Sequence, residues 1–373
     1  MKLIINLINQ NKTINCFALS TIFVLTIVFN ITLGARMGYD KIYQDVGKSD
    51  ILAVYEGNVA CPYTSLVPER FGPLISKVPH VLDVAAEIRQ RYSFEKHTNL
   101  TLSAMKPDKL LKFKDLNKGL DVKQKEFKAF KNNPRGALVG KKIFRMYGWK
   151  KGETVKAYGL EFKIDGVFEK PLSVYESMIF LHKSYLQQLT SKTGFATTFL
   201  VKTDLTDPDE LHSLMKRIEK LCKDNPSRIS CRPEDELWQA IQSSQGNLGG
   251  IITGLALSLG ILIIVLHINN AFFILRYKWR SIKKLKADGF SKKNVISIIF
   301  SETALLLSVA GISASVIIYL SLFKFTIYVG KDLFHPPIFI NLTVLLAGIS
   351  LSLAAAMIAS ASIIPVTMNI YDK

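Results

Sequence analysis

Four long apolar runs limit what this sequence can fold into. They cover residues 14–34, 248–273, 295–322 and 338–364, and the first and fourth contain no charged residue. Each run exceeds the roughly 20 residues that a helix needs to cross about 30 Å of hydrocarbon. Because backbone groups cannot stay unpaired in lipid, each run is predicted to be a transmembrane helix. A cleaved signal peptide is the alternative for the first run, but that run lacks an Ala-x-Ala-like site and is long for a signal core.

A short basic loop between the second and third runs sets the predicted topology. It carries eight cationic residues and one acid, Asp288; the cations are Arg276, Lys278, Arg280, Lys283, Lys284, Lys286, Lys292 and Lys293. Short loops rich in Lys and Arg stay in the cytoplasm. Lys2 and Lys12 precede the first run without an acid, which places the N-terminus on the same side. The C-terminus is then cytoplasmic too, and the long middle segment is extracytoplasmic.

This topology divides the chain into nine predicted segments. They are a cytoplasmic N-terminus (1–13), helix 1 (14–35), an extracytoplasmic domain (36–246), helix 2 (247–274), a cytoplasmic coupling loop (275–294), helix 3 (295–322), an outer loop (323–337), helix 4 (338–364) and a cytoplasmic C-terminus (365–373). The expected fold class is therefore a membrane α-helical protein with four transmembrane helices and one large extracytoplasmic α/β domain.

Strand and helix patterns alternate within the middle segment. β-rich stretches at 50–55, 81–91, 178–181 and 196–201 and an amphipathic helix at 207–223 predict a split α/β subdomain (45–105 with 195–240) around an inserted subdomain (106–190). Residues 106–156 hold sixteen Lys and Arg against five acids. That bias is either a solvated surface or a patch for anionic lipid headgroups or an acidic partner. The net charge of +18 is first a topology signal in such a chain, and we expect no nucleic acid partner.

The sequence shows no catalytic or metal-binding constellation. None of the six histidines has ligand spacing to another, and residues 46–49 imitate a phosphate-binding loop without its first glycine. Three cysteines fall in the middle segment, and Cys222 and Cys231 could form a disulfide there. Glu302 is the one acid inside the third run, so we expect it to pair with the basic loop or a partner subunit. Gly250 and Gly254 stand at GxxxG spacing, which suits either dimerisation or packing within the chain.

Two stretches resemble the permease subunits of MacB/FtsX-type ABC transporters, also called type VII. In residues 137–169 the similarity lies in turn glycines, namely Gly140, Gly148, Gly152 and Gly166, and each is expected to adopt positive φ. In residues 280–302 it lies in Arg280, Ile282, Leu285, Ala287, Gly289, Val295 and Glu302. The family usually has Glu-Ile-Gly-Ile where this chain has Ser281, Ile282, Lys283 and Lys284.

The resemblance implies a mechanical function. The loop around Arg280 to Gly289, with Lys283 and Lys284, would dock a cytoplasmic ABC ATPase present in two copies. ATP and Mg would bind that partner, and this chain would hold no cofactor and catalyse no reaction. The permease would form a homodimer, or pair with a related permease, in the cell inner membrane. It would drive export or extraction of a lipid, lipoprotein, peptide or small molecule through motion of its outer domain. A periplasmic adaptor and membrane lipid are further expected partners.

Two other functions remain open from the sequence. One is an FtsX-like regulator whose outer domain activates an envelope enzyme, although the outer domain of such proteins is usually smaller. The other is a membrane receptor that works without an ATPase, because Ser281 and Lys283 depart from the family pattern.

Overall fold

The computed structural model describes residues 12–44, 50–59, 62–95, 98–114, 122–157, 159–170, 173–224, 227–244, 247–323, 325, 327–328 and 337–373. These residues form two compact units. One unit contains the long apolar helices, and we call it the helical unit. The other lies between Tyr39 and Asn247, and we call it the outer domain.

The described helices of the helical unit come first and last along the chain, and those of the outer domain lie between them. In order they are α1 (Lys12–Gln44), α2 (Phe71–Ile75), α3 (Pro107–Phe113), α4 (Gln124–Asn132), α5 (Lys141–Met146), α6 (Lys183–Leu189), α7 (Pro208–Leu221), α8 (Glu234–Ser244), α9 (Leu248–Tyr277), α10 (Trp279–Ala287), α11 (Lys292–Leu322), α12 (Leu342–Ser362) and α13 (Ile364–Asp372).

The described strands lie mainly in the outer domain. They are β1 (Ile51–Glu56), β2 (Val67–Pro68), β3 (Val81–Glu95), β4 (Thr98–Met105), β5 (Gly136–Gly140), β6 (Thr154–Ala157), β7 (Leu160–Phe168), β8 (Met178–His182), β9 (Phe195–Ala196), β10 (Thr198–Thr203), β11 (Ile229–Pro233), β12 (Ile327–Tyr328) and β13 (Pro337–Ile338).

Among the residues that the structure describes, four helices are long and apolar enough to cross a membrane, by length and composition. Their spans are Leu19–Ile42, Leu248–Tyr277, Lys292–Leu322 and Leu342–Asp372. The structure therefore has the four-helix membrane part that the sequence predicts. Helix α1 continues to Gln44, about nine residues past the predicted end at residue 35. The fourth span is divided at Ile363, where α12 ends and α13 begins, and Pro365 stands in the first turn of α13.

Small residues of the helical unit mainly allow its own helices to approach each other. A methyl group at Gly311 of α11 would overlap the Ser352 side chain of α12. One at Gly348 would overlap Asn30, whose side-chain amide donates a 3.1 Å hydrogen bond to Ser315 Oγ. Close contact between helices depends on such residues. Gly254 differs, because a Cβ there would meet no described atom within 4 Å.

A nine-stranded sheet, counted over the described residues, forms the frame of the outer domain. Its strand order is β11-β1-β10-β3-β4-β8-β5-β7-β6, with parallel pairs between β4 and β8 and between β5 and β7. Strand β3 is fifteen residues long and changes partner along its length. It pairs with β10 up to Glu87 and with β4 from Ile88 onward. The long strand therefore joins the two halves of the sheet.

Two hydrophobic cores pack on the two halves of this sheet. The first contains Leu52, Phe199 and Leu214, and the second contains Leu102, Phe162 and Ile179. We call the first half the split subdomain and the second the inserted subdomain. Because β4 packs with the second core, the division falls near residue 87 and not at the predicted residue 105. The sequence did not indicate this division, because β4 begins only three positions after β3 ends and no change in the sequence pattern marks the boundary between the two cores.

Helix α7 shows how local sequence sets an element of the split subdomain. The Asp207 carboxylate accepts hydrogen bonds from the backbone N–H groups of Asp209 and Glu210, which satisfies donors at the helix start. Leu214 and Ile218 lie one turn apart and are buried in the first core. By contrast, residues 66–77 have a sequence pattern that also favours a helix, but they form only the short α2, because Pro68 and Arg70 precede it in strand and turn conformations.

Candidate coupling site

The end of α9 is fixed by a buried ion pair. Lys278 follows α9 directly, and its ammonium contacts the Glu302 carboxylate of α11. Each side chain is only 2% exposed. A lone carboxylate at this depth would be costly, and the lysine compensates its charge. The acid of the third run is thus joined to the basic loop within the same chain.

The predicted coupling loop is largely helical. Helix α10 buries Ile282 and Leu285, which stand three residues apart on one face, in the core of the helical unit. These two residues were expected to belong to the docking surface, but the structure uses them to hold α10 in place. The opposite face exposes Arg280, Lys283 and Lys284. Within the described chain, no carboxylate lies at ion-pair distance from these three cations.

A glycine turn connects α10 to α11. The N–H of Gly289 donates to the Lys286 carbonyl, and the N–H of Phe290 donates to the Leu285 carbonyl, which is the pattern of a Schellman cap. Gly289 has φ +84°, a conformation that side chains with a Cβ rarely adopt. Ser291 then caps α11 by accepting from the Asn294 N–H. The glycine that carries the family resemblance therefore has a defined backbone role.

Helix α13 supports this corner, which the sequence did not predict. Lys286 Nζ donates to the Tyr371 carbonyl at 2.7 Å, and Tyr371 Oη donates to the Phe290 carbonyl at 2.9 Å. Lys292 Nζ lies 2.7 Å from an Asp372 carboxylate oxygen. Ile370 of α13 is buried in the same core as Leu285. The available signal was the helical spacing of Ile363, Thr367 and Ile370 on either side of Pro365, in a stretch that was predicted only as part of the fourth helix and the cytoplasmic C-terminus.

The electrostatic result is a rigid surface with unpaired positive charge. Lys286 and Lys292 are engaged by α13, whereas Arg280 and Lys284 face solvent and Lys283 lies 4.7 Å over the Trp279 ring. An aromatic ring holds a cation by its quadrupole without neutralising it. We call Arg280, Lys283 and Lys284 the cationic face of α10.

The four predicted turn glycines of the outer domain divide into two kinds. Gly148 and Gly152 have φ of +64° and +83°, as expected. Gly140 has φ −62°, and a Cβ there would overlap the backbone of Glu176. A Cβ at Gly166 would lie 2.8 Å from Leu138 Cδ2. The positive-φ expectation is therefore wrong for Gly140 and is not supported for Gly166, where close packing explains the glycine.

Cys222 and Cys231 are both free thiols in the structure, and the disulfide considered from the sequence is not formed there. Both side chains are buried in the first core of the outer domain. Burial raises the pKa of the Cys222 thiol to about 11. They therefore act as small apolar core residues.

A buried charge cluster in the outer domain was missed by the sequence reasoning. It consists of Glu87 and Arg89 on β3, Lys114 after α3, and Glu234 at the start of α8, and each side chain is at most 1% exposed. Arg89 lies 2.8 Å from Glu87, and Lys114 lies 3.1 Å from Glu234. Two positive and two negative charges balance, which is the condition under which charges tolerate burial.

Aromatic and hydroxyl groups complete the charge cluster. Ser103 Oγ donates to Glu87 at 2.7 Å, and the Arg89 guanidinium stacks 4.7 Å over the Trp238 ring of α8. Burial alone would raise the pKa of Glu87, but Arg89 and Lys114 hold it at about 2. The cluster thus fixes α8 to β3 at the point where β3 changes partner.

Comparison with known proteins identifies the family. The sequence matches the MacB-like periplasmic core domain over residues 19–221, more than half of the chain. No curated protein matches the chain.

Solved structures with a similar outer domain are also found. The extracellular domain of the noncanonic ABC-type transporter YknZ from Gram-positive bacteria is 18% identical, covers 49% of this chain and 99% of its own, and has a TM-score of 0.37. The periplasmic region of MacB from Actinobacillus actinomycetemcomitans is 14% identical, covers 54% and 97%, and has a TM-score of 0.39. On the family match, this chain belongs to the MacB/FtsX-type family of ABC transporter permeases.

Proposed function

We propose that this chain is the membrane subunit through which a separate cytoplasmic ABC ATPase moves the outer domain. Two ATPase copies would bind a homodimer of this permease, or a pair with a related permease, in the cell inner membrane with both termini in the cytoplasm. ATP and Mg would be held by the ATPase. The work would be export or extraction of a lipid, lipoprotein, peptide or small molecule, with a periplasmic adaptor as an optional partner.

The cationic face of α10 is the observation that carries this proposal. Helix α10, which carries this face, is short, is anchored in the core by Ile282 and Leu285, and is supported by α13. A helix held in this way transmits displacement to α9 and α11, because the Lys278–Glu302 pair joins the end of α9 to α11. Its unpaired cations fit a partner groove lined by carboxylates, since like charges would repel and apolar walls would leave the charges unsolvated.

The test is charge reversal on that face. The variant Lys283→Glu/Lys284→Glu should lose the co-purifying ATPase and the ATP hydrolysis of the eluate in mild detergent, because opposite charges would become like charges. The same reversal at Lys125 and Lys128, exposed on α4 of the outer domain, is the matched control and should keep both. The bound ATPase should contain a G-x-x-x-x-G-K-[ST] nucleotide-binding motif, which mass spectrometry would identify.

Two results would count against the proposal. If the reversed variant retains stoichiometric ATPase and full hydrolysis, α10 is not the docking surface. If the unmodified protein brings down an envelope enzyme and no nucleotide-binding subunit, the regulator function replaces the transporter function.

A further inference from the structure

An open cleft of about 370 Å³ lies in the outer domain between α2 and α3. Its apolar wall includes Val84 and Ala86 of β3 and Phe199 of β10. Residues from the split subdomain form one side, and residues from α3 and α6 of the inserted subdomain form the other. Ligand sites form preferentially at such boundaries, and this volume is at the small end of their usual range.

Two ion pairs cross the cleft. The Lys109 ammonium contacts the Asp83 carboxylate, and the Lys183 ammonium contacts the Glu69 carboxylate. In each pair the acid comes from the split subdomain and the lysine from the inserted one. The lining thus brings together apolar surface and paired charges, in a place that the MacB-type assignment does not explain.

Each of these carboxylates has a second donor. Lys112 Nζ lies 3.7 Å from Asp83, and Gln187 Nε2 donates to Glu69 at 2.7 Å. Lys109 or Lys183 can therefore turn away from its acid without leaving that acid unpartnered. Such exchangeable pairs can release an ammonium to a ligand at low cost.

The cleft also has a surplus of positive charge. Lys106 lines it, and among the residues that the structure describes no carboxylate lies within ion-pair distance of Lys106. Burial would raise the pKa of Asp83, yet the hydrogen bond and charge of Lys109 lower it overall, which agrees with a positive local potential. A cationic ligand would have to displace ammonium groups from both acids, whereas an anionic ligand would meet available ones.

We infer that this cleft binds a small amphiphile with one anionic headgroup, phosphate or carboxylate, on a short apolar chain. The headgroup would contact Lys106 and Lys109, and the chain would lie against Ala86 and Phe199. This site needs no ATPase, so it stands apart from the function proposed above. Ligand binding would exchange ion pairs that cross the subdomain boundary and would change how tightly the two subdomains hold together.

Titration calorimetry on the full-length protein in a neutral maltoside detergent tests this inference. The probes are hexyl phosphate, hexanoate, inorganic phosphate and hexylammonium. Hexyl phosphate or hexanoate should bind, and the tighter of the two identifies the headgroup. Lys106→Gln/Lys109→Gln should weaken that binding by about tenfold or more, because charge-assisted hydrogen bonds are lost.

Two further variants distinguish binding in the cleft from two other effects. These are association of the probe with the detergent micelle and loss of binding through unfolding. Lys125→Gln/Lys128→Gln, on exposed α4, should bind as the unmodified protein does, which controls for charge lost elsewhere. Ala86→Leu should weaken hexyl phosphate binding by filling the apolar wall, while it leaves the thermal midpoint nearly unchanged. Because Ala86 is only partly buried, this substitution has room to adjust.

Three outcomes would overturn the inference. One is equal affinity for hexyl phosphate in the unmodified protein and in Lys106→Gln/Lys109→Gln. Another is equal affinity for inorganic phosphate and hexyl phosphate, which would show that the apolar wall takes no part. The third is equal or tighter binding of hexylammonium.

Discussion

Removing one charge from the buried cluster of the outer domain should destabilise the protein strongly. In Lys114→Met, Arg89 alone would face the carboxylates of Glu87 and Glu234, so one net negative charge would stay buried. Methionine fills similar space, so the loss is mainly electrostatic. Breaking a buried pair in this way costs about 3–5 kcal/mol.

A second substitution should recover part of that loss. The double variant Lys114→Met/Glu234→Gln removes one charge of each sign and leaves Arg89 at 2.8 Å from Glu87. We expect it to be more stable than Lys114→Met alone by about 1 kcal/mol or more, since the uncompensated charge is gone. The two substitutions should therefore be strongly non-additive.

Urea unfolding of the full-length protein in detergent measures these differences. Trp238 is buried beside Arg89 and reports on the cluster, in a background where Trp149 and Trp279 are replaced by Phe. Lys128→Met on exposed α4 is the control and should change the free energy of unfolding by about 0.5 kcal/mol or less.

The electrostatic argument would fail on either of two results. One is a free energy of unfolding for Lys114→Met within about 0.5 kcal/mol of that for Lys128→Met, which would mean that the cluster is hydrated in solution. The other is a loss of stability in the double variant equal to the sum of the losses in the two single variants, which would mean that the charges do not act together.

Four other measurements test the structure. Stability should be fully present above pH 4.5 and fall by about 3 kcal/mol as the pH approaches 2, because the pKa of Glu87 drops from 4.5 to about 2 on folding; Glu87→Gln should flatten this slope in urea titrations at several pH values. Cys222 and Cys231 should resist alkylation at pH 8 until urea unfolds the protein, and mass spectrometry that finds rapid labelling of the folded state would contradict their burial. A cysteine at Lys125 should react with an impermeant maleimide from outside intact cells, and labelling only after lysis would reverse the topology. Gly289→Ala should lower the thermal midpoint by a few degrees through a backbone cost of about 1 kcal/mol, and an unchanged midpoint would refute the strained turn.

Periodic features of the sequence were sufficient to predict much of this fold. The four apolar runs became long helices, and the amphipathic pattern at 207–223 became α7. These predictions succeeded because length and apolar spacing act locally. The basic loop lies between two long helices, as its position between two apolar runs predicts, whereas the short α10 and the turn at Gly289 are structural details of residues that the family resemblance only singled out.

Features that depend on distant partners were not predictable. Glu87, Lys114 and Glu234 come from three separate segments, and no neighbouring residue in the sequence indicates that their side chains are buried. Tyr371 supports the turn after α10 through a hydrogen bond to Phe290, and these two residues are 81 positions apart in the sequence. Lysine is usually an exposed residue, so a sequence alone favours a solvated position for each of these cations.

The contacts between α10 and α13 can form only late in the synthesis of the protein. Chains are made from the N-terminus, so Lys286 and Phe290 emerge long before Tyr371, which lies near the end of the fourth span. A nascent or truncated chain with three spans would display the cationic face of α10 without the helix that holds it. The surface proposed to receive the ATPase would thus be completed only after the last span has been inserted, which would let the partner distinguish finished permeases from unfinished ones.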